Sequence, residues 1–261
     1  MKGNDKMDYI DTHVHLNDEG LEKDLDQTII DAMNNGVKKM FVVGWDKSSS
    51  MKAIELAEKY DWCYAIIGFH PCNVTGLNDT DYLWLEQNVK LQKVIAVGEI
   101  GFDLHWNTTT LEEQKIAFRK QVEIAKKVNK PIMIHSRDAA MITFEEVKNT
   151  HAEVVGGVLH SYSGSSELAK EYIKLGFNFG ISGPVTFKNG KVMKEVVRNI
   201  PLDYLISETD SPYLTPHPYR GKQNGPKYLP LIVEEIAIIK GLDIEVVKSK
   251  IMDNVKRIFG V

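Results

Sequence analysis

Cysteine is scarce in this 261-residue chain: Cys63 and Cys72 are its two thiols, too few for a cysteine zinc cluster or a disulfide framework. They read as reduced thiols. No apolar run approaches the ~18 residues that a membrane-spanning helix needs, so no membrane partner is expected. The first residues, Met1 to Lys6, are polar and mixed in charge, without the apolar core of a secretory signal. A cytoplasmic protein is the expectation. An excess of positive charge is also missing, since 32 Lys and Arg stand against 36 Asp and Glu for a net charge of −4. Such a surface offers no broad attraction to a polyanion, so any nucleic acid must be held by local cations. The chain has no Gly-rich dinucleotide fingerprint, no Walker sequence and no Gly-x-Ser-x-Gly elbow, which argues against nucleotide cofactors, P-loop chemistry and serine hydrolysis. With no low-complexity segment or long linker, residues 1–261 are expected to form a single domain, residues 1–6 being a flexible N-terminal extension.

What is present is an alternation. A hydrophobic content of 43% suffices for a large core. Short β-branched runs recur between longer stretches of helical period, the rhythm of a parallel sheet. Eight strands are predicted: Met7–His13, Val37–Trp45, Trp62–His70, Val94–Asp103, Pro131–Arg137, Val154–Ser163, Phe177–Ser182 and Tyr204–Asp210. The stretch Leu111 to Val128 is the clearest helix, with Leu111, Phe118, Val122, Ala125 and Val128 on one stripe and Thr110 with Glu113 as a capping box. Tyr228 to Phe259 reads as two helices parted at Gly241, Leu242 and Asp243. Eight strands with crossover helices predict a closed (β/α)8 TIM barrel, an α/β fold, over an open doubly wound sheet of five or six strands.

Metal-capable side chains then fall at the predicted strand ends. His13 and His15 lie at the end of the first, Glu99 toward the end of the fourth, His135 in the fifth, His160 in the sixth and Asp210 in the eighth. A barrel gathers the C-terminal ends of its strands on one face, where active sites are built, so these six are expected to share a mouth. Residues two apart on a strand point the same way, which lets His13 and His15 aim inward together. Four imidazoles and two carboxylates suit borderline divalent ions, and they are too many for one tetrahedral zinc with an open position. Two ions about 3.5–4 Å apart, with a carboxylate between them, would use them all, and Glu99 is the candidate bridge.

Other polar residues are weaker candidates. His70, before Pro71, either binds substrate or shapes its loop. His105 and His217 lie in mouth-side loops and His151 after a helix, where solvation is the simpler reading. Arg137, two residues past His135, and Arg220, in the loop after the eighth strand, can each clamp a phosphate with a planar fork or form a rim salt bridge. Tyr162, Phe187, Tyr213 and Tyr219 can stack on unpaired bases or pack in the core.

The blocks Asp11-Thr12-His13-Val14-His15, Gly68-Phe69-His70-Pro71, Gly98-Glu99-Ile100-Gly101-Phe102-Asp103, His135-Ser136-Arg137, His160-Ser161-Tyr162-Ser163-Gly164, Glu208-Thr209-Asp210-Ser211-Pro212-Tyr213 and Tyr219-Arg220-Gly221-Lys222-Gln223-Asn224 resemble, in order, the motifs of the TatD-like metal-dependent DNases. The resemblance spans Asp8 to Phe259. Phe102, where the family more often has Leu, is a small departure away from any ligand position. The resemblance implies an amidohydrolase-type TIM barrel with a pair of divalent ions (zinc, magnesium or manganese). It implies that His13, His15 and Asp210 hold one ion and His135 and His160 the other, with Glu99 between.

The expected activity is hydrolysis of phosphodiester bonds in DNA, with water activated between the two ions as nucleophile. Asp210 is expected to orient and deprotonate that water, Asp210 and Glu99 forming the catalytic pair, with His70, Arg137 and Arg220 on the substrate. A recessed mouth favours single strands or DNA ends, hence exonuclease action, and nothing calls for an obligate protein partner. One rival is an amidohydrolase acting on another ester or amide, such as aminoacyl-tRNA. The other is a noncatalytic nucleic-acid-binding barrel, against which the complete ligand set argues.

Overall fold

The computed structural model describes residues 8–261, so the extension expected over residues 1–6 lies outside the described residues. Eight strands, β1 (Tyr9–Val14), β2 (Val37–Val43), β3 (Cys63–Ile67), β4 (Val94–Asp103), β5 (Ile132–Arg137), β6 (Gly157–Leu159), β7 (Phe177–Ile181) and β8 (Leu205–Ser207), form one sheet in sequence order. Every neighbouring pair is parallel. The strands are near-continuous apolar runs because both faces are covered; all ten residues of β4 are buried.

The seam between β1 and β8 closes beyond the end of β8, at the C-terminal mouth. Val14 and Ser211 form a parallel bridge. Asp210 donates its N–H to the carbonyl of His13 at 2.9 Å, and His15 donates to Ser211 at 2.9 Å. Below them, Thr12 donates its hydroxyl to the Ser207 carbonyl at 3.0 Å, and the Asp11 carboxylate accepts the N–H of Thr209 at 2.9 Å. Burial lifts the Asp11 carboxyl to about 7 despite the hydrogen bonds it accepts from Thr209 and His13. The barrel therefore closes through the same residues that carry His13, His15 and Asp210.

Among the described residues ten α-helices surround it: α1 (Glu19–Glu22), α2 (Leu25–Asn34), α3 (Lys47–Lys59), α4 (Asp79–Asn88), α5 (Leu111–Val128), α6 (Ala140–Asn149), α7 (Ser166–Lys174), α8 (Lys191–Asn199), α9 (Leu229–Lys240) and α10 (Ile244–Phe259). Helix α5 has the predicted capping box, in which Glu113 donates its N–H to the Thr110 hydroxyl at 3.2 Å and its carboxylate accepts the Thr110 N–H at 2.7 Å. Its Phe118, Val122 and Ala125 are buried. The C-terminal pair parts where expected: Gly241 turns left-handed at φ 65° and Asp243 caps α10 by accepting the N–H of Glu245 at 2.8 Å.

At the opposite end of the barrel, lysines satisfy carbonyls left open where elements stop. Lys93 donates to Asp61 at 2.7 Å and to Cys63 at 3.3 Å; Lys130 donates to Leu91 at 3.0 Å and also reaches Val89 and Val94. Among the described residues no helix is long and apolar enough to cross a membrane.

Several strands are shorter than predicted. Val154 opens no strand: it ends a 3-10 turn, 69% exposed, and β6 begins only at Gly157. β8 ends at Ser207, and Asp210 sits three residues on in a left-handed turn at φ 55°. β-branched residues give these runs strand character. Outside the stretch that a neighbouring strand pairs, however, no partner remains for the ladder: before β6 the chain is still in the turn from α6, and after β8 it enters a mouth loop.

Candidate active site

Six polar side chains converge at the mouth. His13, His15, Glu99 and His160 are buried, and the Asp210 side chain is 13% exposed. Glu99 sits at the centre with its two oxygens divided. Oε2 lies 3.5 Å from Nε2 of His13, while Oε1 lies 2.7 Å from Nδ1 of His135 and 2.6 Å from Nε2 of His160. Asp210 Oδ1 lies 3.4 Å from Nε2 of His15 and 3.6 Å from Nε2 of His13. All six predicted ligands meet.

The rings are oriented from behind. His15 Nδ1 donates to the Val43 carbonyl at 3.0 Å, and because a carbonyl only accepts, Nε2 is left with its lone pair facing inward. His135 is turned the same way by Asp103, whose Oδ2 accepts from Nε2 at 2.9 Å and leaves Nδ1 facing Glu99. Burial raises the Asp103 carboxyl, but the hydrogen bonds it accepts from His135, Trp106 and His105 outweigh that and hold it down at about 2. Behind His160, Nδ1 stands 3.6 Å from the buried carboxylate of Glu208. Strand and loop contacts thus fix imidazoles whose free nitrogens aim at one small volume, the arrangement seen around metal-ligating histidines.

This donor set fits divalent cations. Nε2 of His13 and Nε2 of His15 are 3.2 Å apart, and carboxylate oxygens face the same atoms. Lone pairs so close repel unless a cation or proton lies between them. Without a cation the burden falls on protons. Burial pushes the Glu99 carboxyl up, yet the charge of His160 and hydrogen bonds from His13, His135 and His160 hold it well below the usual carboxylate range. Residue groups able to hold an ion include His13, His15 and Glu99; His13, His160 and Asp210; and His70, Glu99 and His135.

β4 explains how Glu99 and Asp103 flank one ring. Positions four apart on a strand share a face, and Gly101 between them pairs with His135 on β5. A Cβ at Gly101 would fall 2.0 Å from the His135 carbonyl oxygen, and its φ of 143° suits glycine. The sequence marks Asp103 as the end of a strand and of a motif and not as a site residue, although its period-2 spacing from Glu99 was the available signal.

Above the cluster opens a cavity of about 870 Å³, lined by His15, His70, Glu99, Asp103, His135, Arg137, His160 and Asp210 among others. His70 lies on its wall: Nδ1 accepts the N–H of Cys72 at 3.1 Å and Nε2 stands 3.8 Å from Glu99 Oε1. Burial pushes the His70 imidazole down to about 3, so it is neutral. Arg137 reaches the cavity with its guanidinium 5.5 Å from the Trp106 ring centroid. Arg220 instead stacks on Phe187, 4.1 Å from the ring centroid, and does not line the cavity. Of the four aromatics singled out, Tyr213 lines the cavity, Tyr162 is buried against Phe179, and Tyr219 stacks on Tyr228. Trp45, Trp106 and Lys191 also line it and were not anticipated. His151 is solvated as expected, with its side chain 75% exposed.

A family model described as TatD related DNase matches residues 10–260. The chain belongs to this family. Among its TatD relatives, the "Uncharacterized metal-dependent hydrolase YabD" of Bacillus subtilis (strain 168) is 43% identical over 251 residues, covering 96% of this chain and 98% of the relative. The "3'-5' ssDNA/RNA exonuclease TatD" of Pectobacterium atrosepticum is 32% identical over 255 residues, covering 95% and 98%. The crystal structure of the TatD homolog YJJV from Escherichia coli K12 superposes with a TM-score of 0.91 at 27% identity, covering 97% of this chain and 98% of that one. This TatD family member is a metal-dependent hydrolase built on a TIM barrel.

Proposed function

We propose that this hydrolase cleaves phosphodiester bonds of DNA, working from single strands or ends as an exonuclease. The observation that carries the reading is the division of Glu99 between His13 on one side and His135 with His160 on the other. In this reading His13, His15 and Asp210 would hold one divalent ion and His135 and His160 a second, with Glu99 between the two sets. A zinc, magnesium or manganese pair would supply Lewis acidity at the phosphoryl oxygens and lower the pKa of a held water.

The protein's own groups do the rest. Asp210, a carboxylate at the edge of the cluster, orients the attacking water and takes its proton. Asp103 and the Val43 carbonyl hold the rings of His135 and His15 in the tautomers that keep their inner nitrogens free. Arg137, exposed on the cavity wall, pairs with a phosphate oxygen, and neutral His70, whose Nδ1 already accepts the Cys72 N–H, donates from Nε2 beside it. Arg220 on Phe187 serves a more distant phosphate along the strand. Local cations of this kind answer the net negative charge of the whole chain. The name of the Pectobacterium relative supports nucleic acid as substrate.

The test is metal-stripped protein resupplied with magnesium, manganese or zinc and given single-stranded DNA, duplex DNA and an aminoacyl ester. Metal-restored release of nucleotides from DNA ends supports the reading. Ester turnover without DNA cleavage would replace it with the other hydrolase, and DNA binding without turnover of any substrate would replace it with a noncatalytic barrel.

A further inference from the structure

A second cavity, of about 470 Å³, lies beside the first under the loops that follow β5 and β6. That volume is large against the ~30 Å³ share of one water and within the range of small-molecule sites. Ser136, His160 and Ser163 line both cavities, so the second is a side chamber of the mouth. Its wall includes His160, whose Nε2 is 2.6 Å from Glu99 Oε1.

Most of its lining is apolar, including Leu104, Met141, Ile142, Leu159 and Leu168. No lysine or arginine lines it, and Asp138 brings an acidic group to its wall, so a phosphate is a poor occupant. Yet it offers hydrogen-bond donors. Tyr172 lines it, fully buried, and its hydroxyl has no hydrogen-bond partner among the described residues. Burial raises the Tyr172 phenol, which keeps it protonated and able to donate. The first turn of α6 also borders the chamber, and its N-cap, Ala139, supplies no side-chain cap. A buried donor without an acceptor is costly, and an apolar slot bordered by such a donor and by a helix start matches a flat heterocycle that carries carbonyl and ring-nitrogen acceptors.

We propose that this side chamber takes an unpaired nucleobase, that of a nucleotide flanking the bond to be cut. The proposal rests on the phosphodiesterase reading above. It assigns Tyr172 and the first turn of α6 to gripping the base while the neighbouring phosphate reaches the centre. Because the grip uses a neutral, planar group, it favours single strands and frayed ends, where a base is free to leave its stack.

The test compares kcat/KM for p-nitrophenyl esters of thymidine 5′-phosphate and thymidine 3′-phosphate with that for methyl p-nitrophenyl phosphate, on metal-loaded protein. At least one thymidine ester should be preferred by about tenfold or more in the wild type, from the usual strength of base–aromatic contacts. Ala140→Trp, at an exposed chamber residue, should bring that ratio toward one by filling the slot, and Tyr172→Phe, which keeps the packing, should lower it. A wild-type ratio near one, or a ratio unchanged in both variants, would overturn the base site while leaving the phosphodiesterase reading intact. Turnover of none of the three diesters would overturn that reading and the base site with it.

Discussion

Asp103 accepts a hydrogen bond from His135 Nε2 at 2.9 Å, on the far side of the ring from Glu99. The same carboxylate also accepts the N–H groups of His105 and Trp106 at 2.9 and 3.0 Å, so it ties the tautomer of His135 to the loop that carries Trp106. Replacing Asp103 with Ala removes the group that orients His135 without removing a proposed ligand. Metal affinity should fall about 10- to 100-fold, with activity largely recovered at saturating metal. A metal titration of activity checks this. Lost activity that no metal concentration restores would make Asp103 more than a positioning residue.

Glu146 of α6 carries a second prediction. Its buried carboxylate accepts from Arg119 Nε and Nη2 of α5, both at 2.8 Å, and these bonds hold it below its ordinary range. A carboxylate lowered on folding stabilises the fold above its unfolded pKa, and that stabilisation is lost as pH falls through the folded value. Arg119→Met should therefore cost about 1–3 kcal/mol at pH 7, discounted because half of the arginine is in water, and less at pH 3. Urea unfolding at the two pH values measures the difference; an equal loss at both would assign the effect to packing.

The two thiols should differ sharply. Cys63 is fully buried in β3, and burial pushes its thiol up to about 12, whereas Cys72 is partly exposed and lines the mouth cavity. In the native protein a thiol reagent should label Cys72 alone and reduce turnover by narrowing the cavity. Rapid labelling of both without unfolding would contradict the burial of β3.

Much of this is legible in the sequence. Continuous apolar runs separated by helical periods fix the strand count, because a strand covered on both faces cannot alternate. The meeting of His13, His15, Glu99, His135, His160 and Asp210 was legible because a barrel brings strand ends together whatever lies between them. Asp210 reached the site by a left-handed turn after β8 rather than as the last strand residue, and the mouth still gathers it. What sequence did not yield depends on three-dimensional neighbours. Tyr162 has the loop position of a base-stacking residue but packs on Phe179, and Arg220 finds Phe187 before it finds the cavity. Trp45 and Trp106 on loops, and Lys191 at the start of α8, line the mouth through chain paths that periodicity does not encode.

Lys130 offers a stability test remote from the site. Its ammonium serves the carbonyls of Val89, Leu91 and Val94 at the closed end of the barrel. Lys130→Met keeps the aliphatic stem and leaves those acceptors short of a donor, which should cost about 1–3 kcal/mol and lower Tm by several degrees. Metal content should be unchanged; a parallel loss of metal would mean that the two ends of the barrel are coupled.

The most direct measurement of the central claim is the number of divalent ions held per chain, by elemental analysis of wild type and Glu99→Ala, with DNA cleavage followed on the same samples. A bridging Glu99 predicts two ions per chain in the wild type, fewer in the variant, and cleavage lost with them. Two ions retained in Glu99→Ala, or DNA cleavage that survives the substitution, would contradict it.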